Sequence, residues 1–206
     1  MGSVLTTRME AGIGADSAME EVLIRKCRKQ EPVAFAQVVD LYQHRIYGYV
    51  RRMVATAEDA EDVAQDVFLR AYQHFPSFDS RCSLRSWLFR IATNLCIDRA
   101  RSTHRRKPIE SGKEDVTFED LNLAADGLDP AELVLTQELS DTVERAIEQM
   151  SAKLKSVLLM HDQQGMSYEE ISKALDVPMG TVKSRLFLAR AHVQKAVEVY
   201  RSESQI

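Results

Sequence analysis

The chain has few places to turn. It holds 8 glycines and 5 prolines among 206 residues, and no segment sustains the apolar–polar alternation that a half-buried strand needs. Apolar residues instead recur at three- and four-residue spacing, which stacks them on one face of a helix. Residues 58–75 carry the cleanest case. Ala60, Val63, Ala64, Val67, Phe68 and Ala71 share one face, and Glu61, Asp62, Gln65, Asp66 and Arg70 share the other. The fold class this pattern dictates is all-α.

Local signals divide the helices. Ser17 and Glu20 have the spacing of a capping box, so a first helix is expected to begin there. Glu31-Pro32 should end it, because a residue before proline is pushed out of helical geometry. Pro32 then suits the first turn of a second helix, which lines up Phe35, Val38, Val39, Tyr42, Ile46, Val50 and Met53. Phe75-Pro76-Ser77 breaks the 58–75 helix. After a short loop to Ser83, another helix stacks Leu84, Trp87, Leu88, Ile91 and Leu95 and leaves through Arg99, Arg101, Arg105, Arg106 and Lys107. The spacing of Trp87 within that stack is that of a core residue.

The character then inverts. Residues 110–132 carry Glu110, Glu114, Asp115, Glu119, Asp120, Asp126, Asp129 and Glu132 against a lone Lys113. Such a segment cannot bury a core, and it is read as a flexible acidic linker. Helical periodicity returns at about Pro130 and runs to about Tyr200. The expected organisation is a loose tail over 1–16, a small helical domain over 17–107, the linker over 108–132 and a second small helical domain over 133–206.

The net charge of -4 argues against coating nucleic acid by bulk charge, although it conceals local basic stretches. Cys27, Cys82 and Cys96 match no zinc spacing and suit free thiols in a reducing cytosol. No apolar run reaches the ~18 residues of a membrane span, and residues 1–16 lack the features of a signal peptide. A cytoplasmic protein with no membrane insertion is expected.

Ser167 and Glu170 form another capping-box pair ahead of a short helix with Ile171, Ala174 and Leu175 facing inward. A tight connection over 176–180 follows, and Thr181 is expected to cap the next helix, whose inward face is Val182, Leu186, Ala189 and Val193. Two short helices so joined make a helix-turn-helix. Its second helix would present Thr181, Lys183, Ser184, Arg185, Phe187 and Arg190, and such helices reach base edges in the major groove. An ordinary helical hairpin with solvated charges has the same pattern.

Further specificity comes from the first half. The run Asp59-Ala60-Glu61-Asp62-Val63-Ala64-Gln65-Asp66-Val67-Phe68 precedes Ser77-Phe78, Trp87-Leu88-Phe89-Arg90-Ile91-Ala92, Asn94 and Asp98-Arg99. It closely resembles region 2 of the extracytoplasmic-function (ECF) group of bacterial RNA polymerase sigma factors. Tyr168-Glu169-Glu170-Ile171 and Gly180-Thr181-Val182-Lys183-Ser184-Arg185-Leu186 resemble region 4 of that family. The resemblance spans about residues 17–198, in the right order.

The resemblance implies a factor that binds core RNA polymerase through its beta-prime and beta subunits and places it on promoter DNA. It implies that Asp62, Gln65, Asp66, Phe68 and Arg70 meet polymerase. Phe78, Ser80, Arg81, Asn94, Arg99, Arg101, Arg105 and Arg106 would meet the −10 element, where a melted base offers a π-face and free edges. The Thr181–Arg190 set would meet the −35 element. An anti-sigma factor is implied as a further partner, one able to hold this cytoplasmic protein at the membrane. The linker either mimics RNA within polymerase or is a solvated tether. Three places depart from the family pattern: Asp79-Ser80-Arg81-Cys82 stands for an Arg-Gly pair, Leu188 for a basic residue, and Met150-Ser151 for Leu-Pro.

Two other classes fit the chain less well. A stand-alone helix-turn-helix regulator has no need of the Asp59–Arg106 block. For an enzyme, His44, His74, His104, His161 and His192 lack metal-binding spacing, and no phosphate loop or nucleophile elbow occurs. No catalysis, cofactor or metal is therefore expected.

Overall fold

Gln30 adopts a left-handed φ of 56° and Pro32 opens the next helix, so the chain reverses where the sequence places its first break. The structure, a computed structural model, describes the backbone of residues 20–106 and 130–203 and the side chains of 20–102 and 137–202. Regular elements in the described residues are all helical. They are α1 (20–28), α2 (Pro32–Met53), α3 (Ala57–His74), α4 (Leu84–Arg106), α5 (Pro130–Glu148), α6 (Ala152–Leu158), α7 (Tyr168–Leu175) and α8 (Met179–Glu203). The expected tail, most of the acidic linker and Ser17 of the first capping box lie outside the described residues. The side chains of Arg105 and Arg106 do too.

Capping chemistry fixes the ends that the sequence marks. The Thr56 side chain accepts from the Asp59 N–H, and Glu58 and Asp59 place negative charge in the first turn of α3, where the helix dipole favours it. The Ser167–Glu170 box forms in both directions, at 2.9 and 3.2 Å. One cap differs from expectation. Helix α8 begins at Met179, because the Pro178 carbonyl accepts from both Thr181 and Val182. Thr181 is therefore within the first turn and caps nothing.

Helices α2, α3 and α4 pack around Val38, Ile46, Tyr49, Val50, Val63, Val67, Leu88 and Phe89, all buried. Tyr49 pairs its hydroxyl with Thr93 Oγ1 at 2.8 Å, and Thr93 donates to the Phe89 carbonyl at 2.7 Å, so this polar pair is satisfied inside the core. Helices α5 to α8 pack around Val157, Leu159, Met160, Ile171, Val182, Leu186 and Ala189. The two halves also share one continuous apolar core, with α7 resting on α4. That docking is absent from the sequence-based organisation, which separates the halves by the linker.

Between α6 and α7 the helix widens into a π turn over Leu159–Gln163, closed by Gln164 N–H to the Leu159 carbonyl at 3.0 Å. The widening ends at Gly165, whose φ is +62°, a region open to glycine at little cost. It carries His161 and Asp162 to α8.

Candidate nucleic-acid interface

Three surfaces gather the residues singled out in the sequence. The first is the face of α3. Asp62, Gln65, Asp66 and Arg70 are exposed, and Phe68 is half-buried. Phe68 and Gln65 border a groove between α2 and α3 that Val39, Gln43, His44, Tyr47, Glu61 and Ala64 complete. The groove joins apolar walls to a carboxylate and amides, which suits a partner helix bearing both kinds of side chain.

The second surface is the loop after α3 with the outer face of α4. Asn94 is exposed, and so is Arg101, whose pairing with Asp98 is a long surface contact at 3.8 Å. Arg99 is engaged differently. It binds Asp59 and Asp62, with Nη at 2.5 Å from the first and 3.3 Å from the second. Its hydrogen bonds to Asp59 and the charges of both carboxylates raise its pKa further. In this arrangement Arg99 ties α4 to α3, where a phosphate contact was expected.

Phe78 needs a firmer correction. Expected in the base-holding loop, it is only 3% exposed. Its ring packs against Phe75 and Trp87 at centroid distances of 5.6 and 5.0 Å. Three adjoining aromatic rings gain more by mutual burial than by facing water. Trp87 sits in the same cluster, as its spacing required.

Arg28 of α1 donates to the Phe78 carbonyl and the Ser80 hydroxyl, both at 2.8 Å. It therefore organises this loop, and no local sequence signal pointed to it. Arg81 is exposed and pairs with Asp79, whose carboxyl is held below its ordinary range by the Arg81 N–H and side chain.

The third surface is α8. Lys183, Ser184 and Phe187 are exposed, and Thr181 and Arg185 are half-buried. Ser184 turns its hydroxyl proton back to the Thr181 carbonyl at 3.1 Å, so it offers an acceptor where a donor to phosphate was expected. Arg190 forks onto Asp162, with Nε 3.2 Å from Oδ2. Burial works against ionisation of Asp162, but the hydrogen bonds and charges of Arg190 and His161 outweigh it and lower its pKa. His161 stacks on Tyr168 at 5.1 Å, and Lys183 lies 5.8 Å from that ring. The π turn thus braces the second helix of the motif.

Where α7 meets α4, Ser86 donates to the Glu170 carbonyl at 3.1 Å, and Arg90 donates to the carbonyls of Lys173 and Ala174. Sequence reading missed these contacts because they join residues more than eighty positions apart. Among the described residues there is no cluster of three metal-ligating side chains, and no helix is long and apolar enough to cross a membrane.

Two helical halves, one ending in a helix-turn-helix and the other carrying a solvent-facing helix with basic residues, have the arrangement of a DNA-binding transcription factor. Comparison with known proteins is more specific. Residues 38–106 match the family model of Sigma-70 region 2, and residues 140–193 match that of Sigma-70 region 4. The chain is 36% identical to the ECF RNA polymerase sigma factor SigW of Bacillus subtilis, over 84% of this chain and 93% of that protein. It is 32% identical to the ECF sigma-E factor of Escherichia coli K12, over 89% and 97%. The chain belongs to the ECF sigma factors of RNA polymerase.

Solved structures share the fold. CnrH, in complex with the cytosolic domain of CnrY, superposes with a TM-score of 0.64 at 22% identity, covering 87% of this chain and 97% of that one. The sigma factor RpoE of Bartonella quintana, in complex with the anti-sigma factor NepR, gives 0.62 at 23% identity, covering 80% and 97%.

Proposed function

We propose that this sigma factor binds core polymerase with the α2–α3 groove and the exposed face of α3, through Asp62, Gln65, Asp66, Phe68 and Arg70. Residues 17–107 then act as the core-binding and −10-reading domain, residues 108–132 as the tether and residues 133–206 as the −35-reading domain. Asn94, Ser80, Arg81, Arg101, Arg105 and Arg106 meet the −10 element, and Arg99 joins them once Asp59 and Asp62 release it. Phe78 contributes by supporting the loop from below. Thr181, Lys183, Ser184, Arg185, Phe187 and Arg190 meet the −35 duplex.

The observation that carries this reading is the co-occurrence of both surfaces on one chain of the family: an amphipathic groove bordered by α3, and an exposed basic and aromatic face on α8. The factor supplies recognition and polymerase supplies chemistry, so no intrinsic catalysis is assigned. It acts in the cytoplasm, with polymerase. Two relatives of like fold are held by partner proteins, CnrY and NepR, and by that likeness an anti-sigma factor covers part of these surfaces here.

The deciding experiment is run-off transcription with purified core polymerase, a library of promoter fragments, and the protein added or omitted. Discrete start sites that require the protein are expected. A folded protein that yields none with active core would overturn the reading. Tight, specific duplex binding without polymerase would favour a stand-alone regulator.

A further inference from the structure

The outward crest of α8 is unlike that of an ordinary surface helix. Val182, Leu186 and Ala189 are buried, so residues on the opposite side point away from the protein. Those residues are Gly180, Ser184, Phe187, Leu188 and Ala191, related by three- and four-residue steps, and all are exposed. None is charged. Phe187 is 72% exposed and Leu188 is 55% exposed, side by side at the crest. The cations stand on the flanks, with Lys183 and Arg190 to one side and Arg185 to the other.

Two details bear on what the crest can meet outside the chain. A Cβ built on Gly180 would meet nothing within 4 Å. Glycine is a poor helix residue, and this protein's own packing does not call for one here. A partner that approaches the helix closely would. Ser184, the crest's one polar side chain, spends its proton on the Thr181 carbonyl. The crest therefore presents apolar surface and no side-chain hydrogen-bond donor.

We propose that this crest reads thymine by its 5-methyl group, with Leu188 as the specificity-determining contact and Phe187 beside it. The inference rests on the sigma-factor reading and deepens its −35 surface. The major groove is about 12 Å wide and admits one helix, and thymine is the base that places a methyl there. An apolar crest meets methyl groups along the groove floor. Cations on both flanks meet the phosphates on either wall. Gly180, near the helix start, lets the backbone sink towards the bases.

The test uses holoenzyme assembled from core polymerase and the full chain, on a promoter that gives run-off transcripts only with this protein. Each thymine of the −35 element is replaced in turn by deoxyuridine, which differs only by lacking the methyl. Wild-type holoenzyme is expected to lose about fourfold in initiation at one or two positions, the equivalent of one buried methyl. Leu188→Ala holoenzyme should start lower and lose nothing more at those positions. Gly180→Ala should raise the melting temperature of the free protein while lowering initiation, since added bulk helps the helix and obstructs the groove.

Deoxyuridine that is neutral at every position would overturn the proposal and leave the crest to a protein partner. Equal losses in wild type and Leu188→Ala would overturn the role of Leu188. Absence of any core-dependent transcript would instead overturn the sigma-factor reading, and this proposal with it.

Discussion

Arg90 of helix α4 donates from Nε to the carbonyl of Ala174 at the end of α7, 3.3 Å away. The same guanidinium also reaches the Lys173 carbonyl, and cations are favoured at a helix C-terminus. With Ser86 on the Glu170 carbonyl, it holds the two halves together. The −35 and −10 elements lie about 25 base pairs apart by name, roughly 85 Å of duplex at 3.4 Å per pair. On the proposed assignment of one element to each half, halves in direct contact cannot engage both, so α7 is expected to leave α4 at a promoter. The chain between residues 106 and 130 can reach at most ~80 Å when fully extended, comparable to that distance.

The double substitution Ser86→Ala with Arg90→Ala should therefore favour the open form. In small-angle scattering of the free protein the radius of gyration is expected to rise, with helix content by circular dichroism unchanged. An unaltered radius would show that apolar contacts alone hold the halves together.

The brace on α8 should weaken in acid. Asp162 faces Arg190 and His161, with Tyr168 and Lys183 beside them, and its pKa is lowered from the ordinary 3.8. A depressed carboxyl contributes stability above its ordinary value and loses it as pH falls through the folded one. Asp162→Asn should lower the urea midpoint at neutral pH. The gap to wild type should close as pH falls below 3.8. A gap that persists at lower pH would assign the effect to packing.

Only part of this was legible in the sequence. The all-helical class, the break at Pro32, the Ser167 box and the buried stripe Val182–Leu186–Ala189 follow from periodicity and capping, which are local. The docking of α7 on α4 depends on Ser86 and Arg90 meeting main-chain carbonyls, and a carbonyl leaves no mark in a sequence. Phe78 was misplaced for a similar reason. Its spacing does not reveal that Phe75 and Trp87 converge on it from two elements. Arg99 and Arg190 read as DNA contacts, and nothing local to either shows that Asp59 and Asp62 of α3 or Asp162 of the π turn reaches it.

The three thiols should separate by reactivity. Cys27 and Cys96 are buried, and burial is the main cause that raises both pKa values, Cys96 to about 12. The thiolate is the reactive form, so neither should react in the native state. Cys82 is half-exposed in the loop after α3. Native protein should consume one equivalent of a thiol reagent such as DTNB, and protein in denaturant three. Mass mapping should place the native adduct on Cys82. Rapid native modification of Cys96 would mean that the α4 core opens easily.

The Arg99 clamp predicts a gain on removing charge. Asp59 and Asp62 both hold the guanidinium; Asp62 is exposed and Arg99 and Asp59 are half-buried, so the contacts contribute on the order of 1 kcal/mol. Asp59→Asn with Asp62→Asn should therefore cost the fold only these contacts and the Asp59 charge in the first turn of α3, while taking two carboxylate partners from a cation beside Arg101. Each added phosphate contact releases about one counterion, which steepens the salt dependence of duplex binding by about 0.9 in log–log slope. The double variant should bind non-specific duplex more tightly at low salt, with a slope steeper by about that amount. Adding Arg99→Ala should return the slope to wild type. If the slope stays steep without Arg99, the gain comes from relieved repulsion by the two carboxylates, and Arg99 serves only to join α4 to α3.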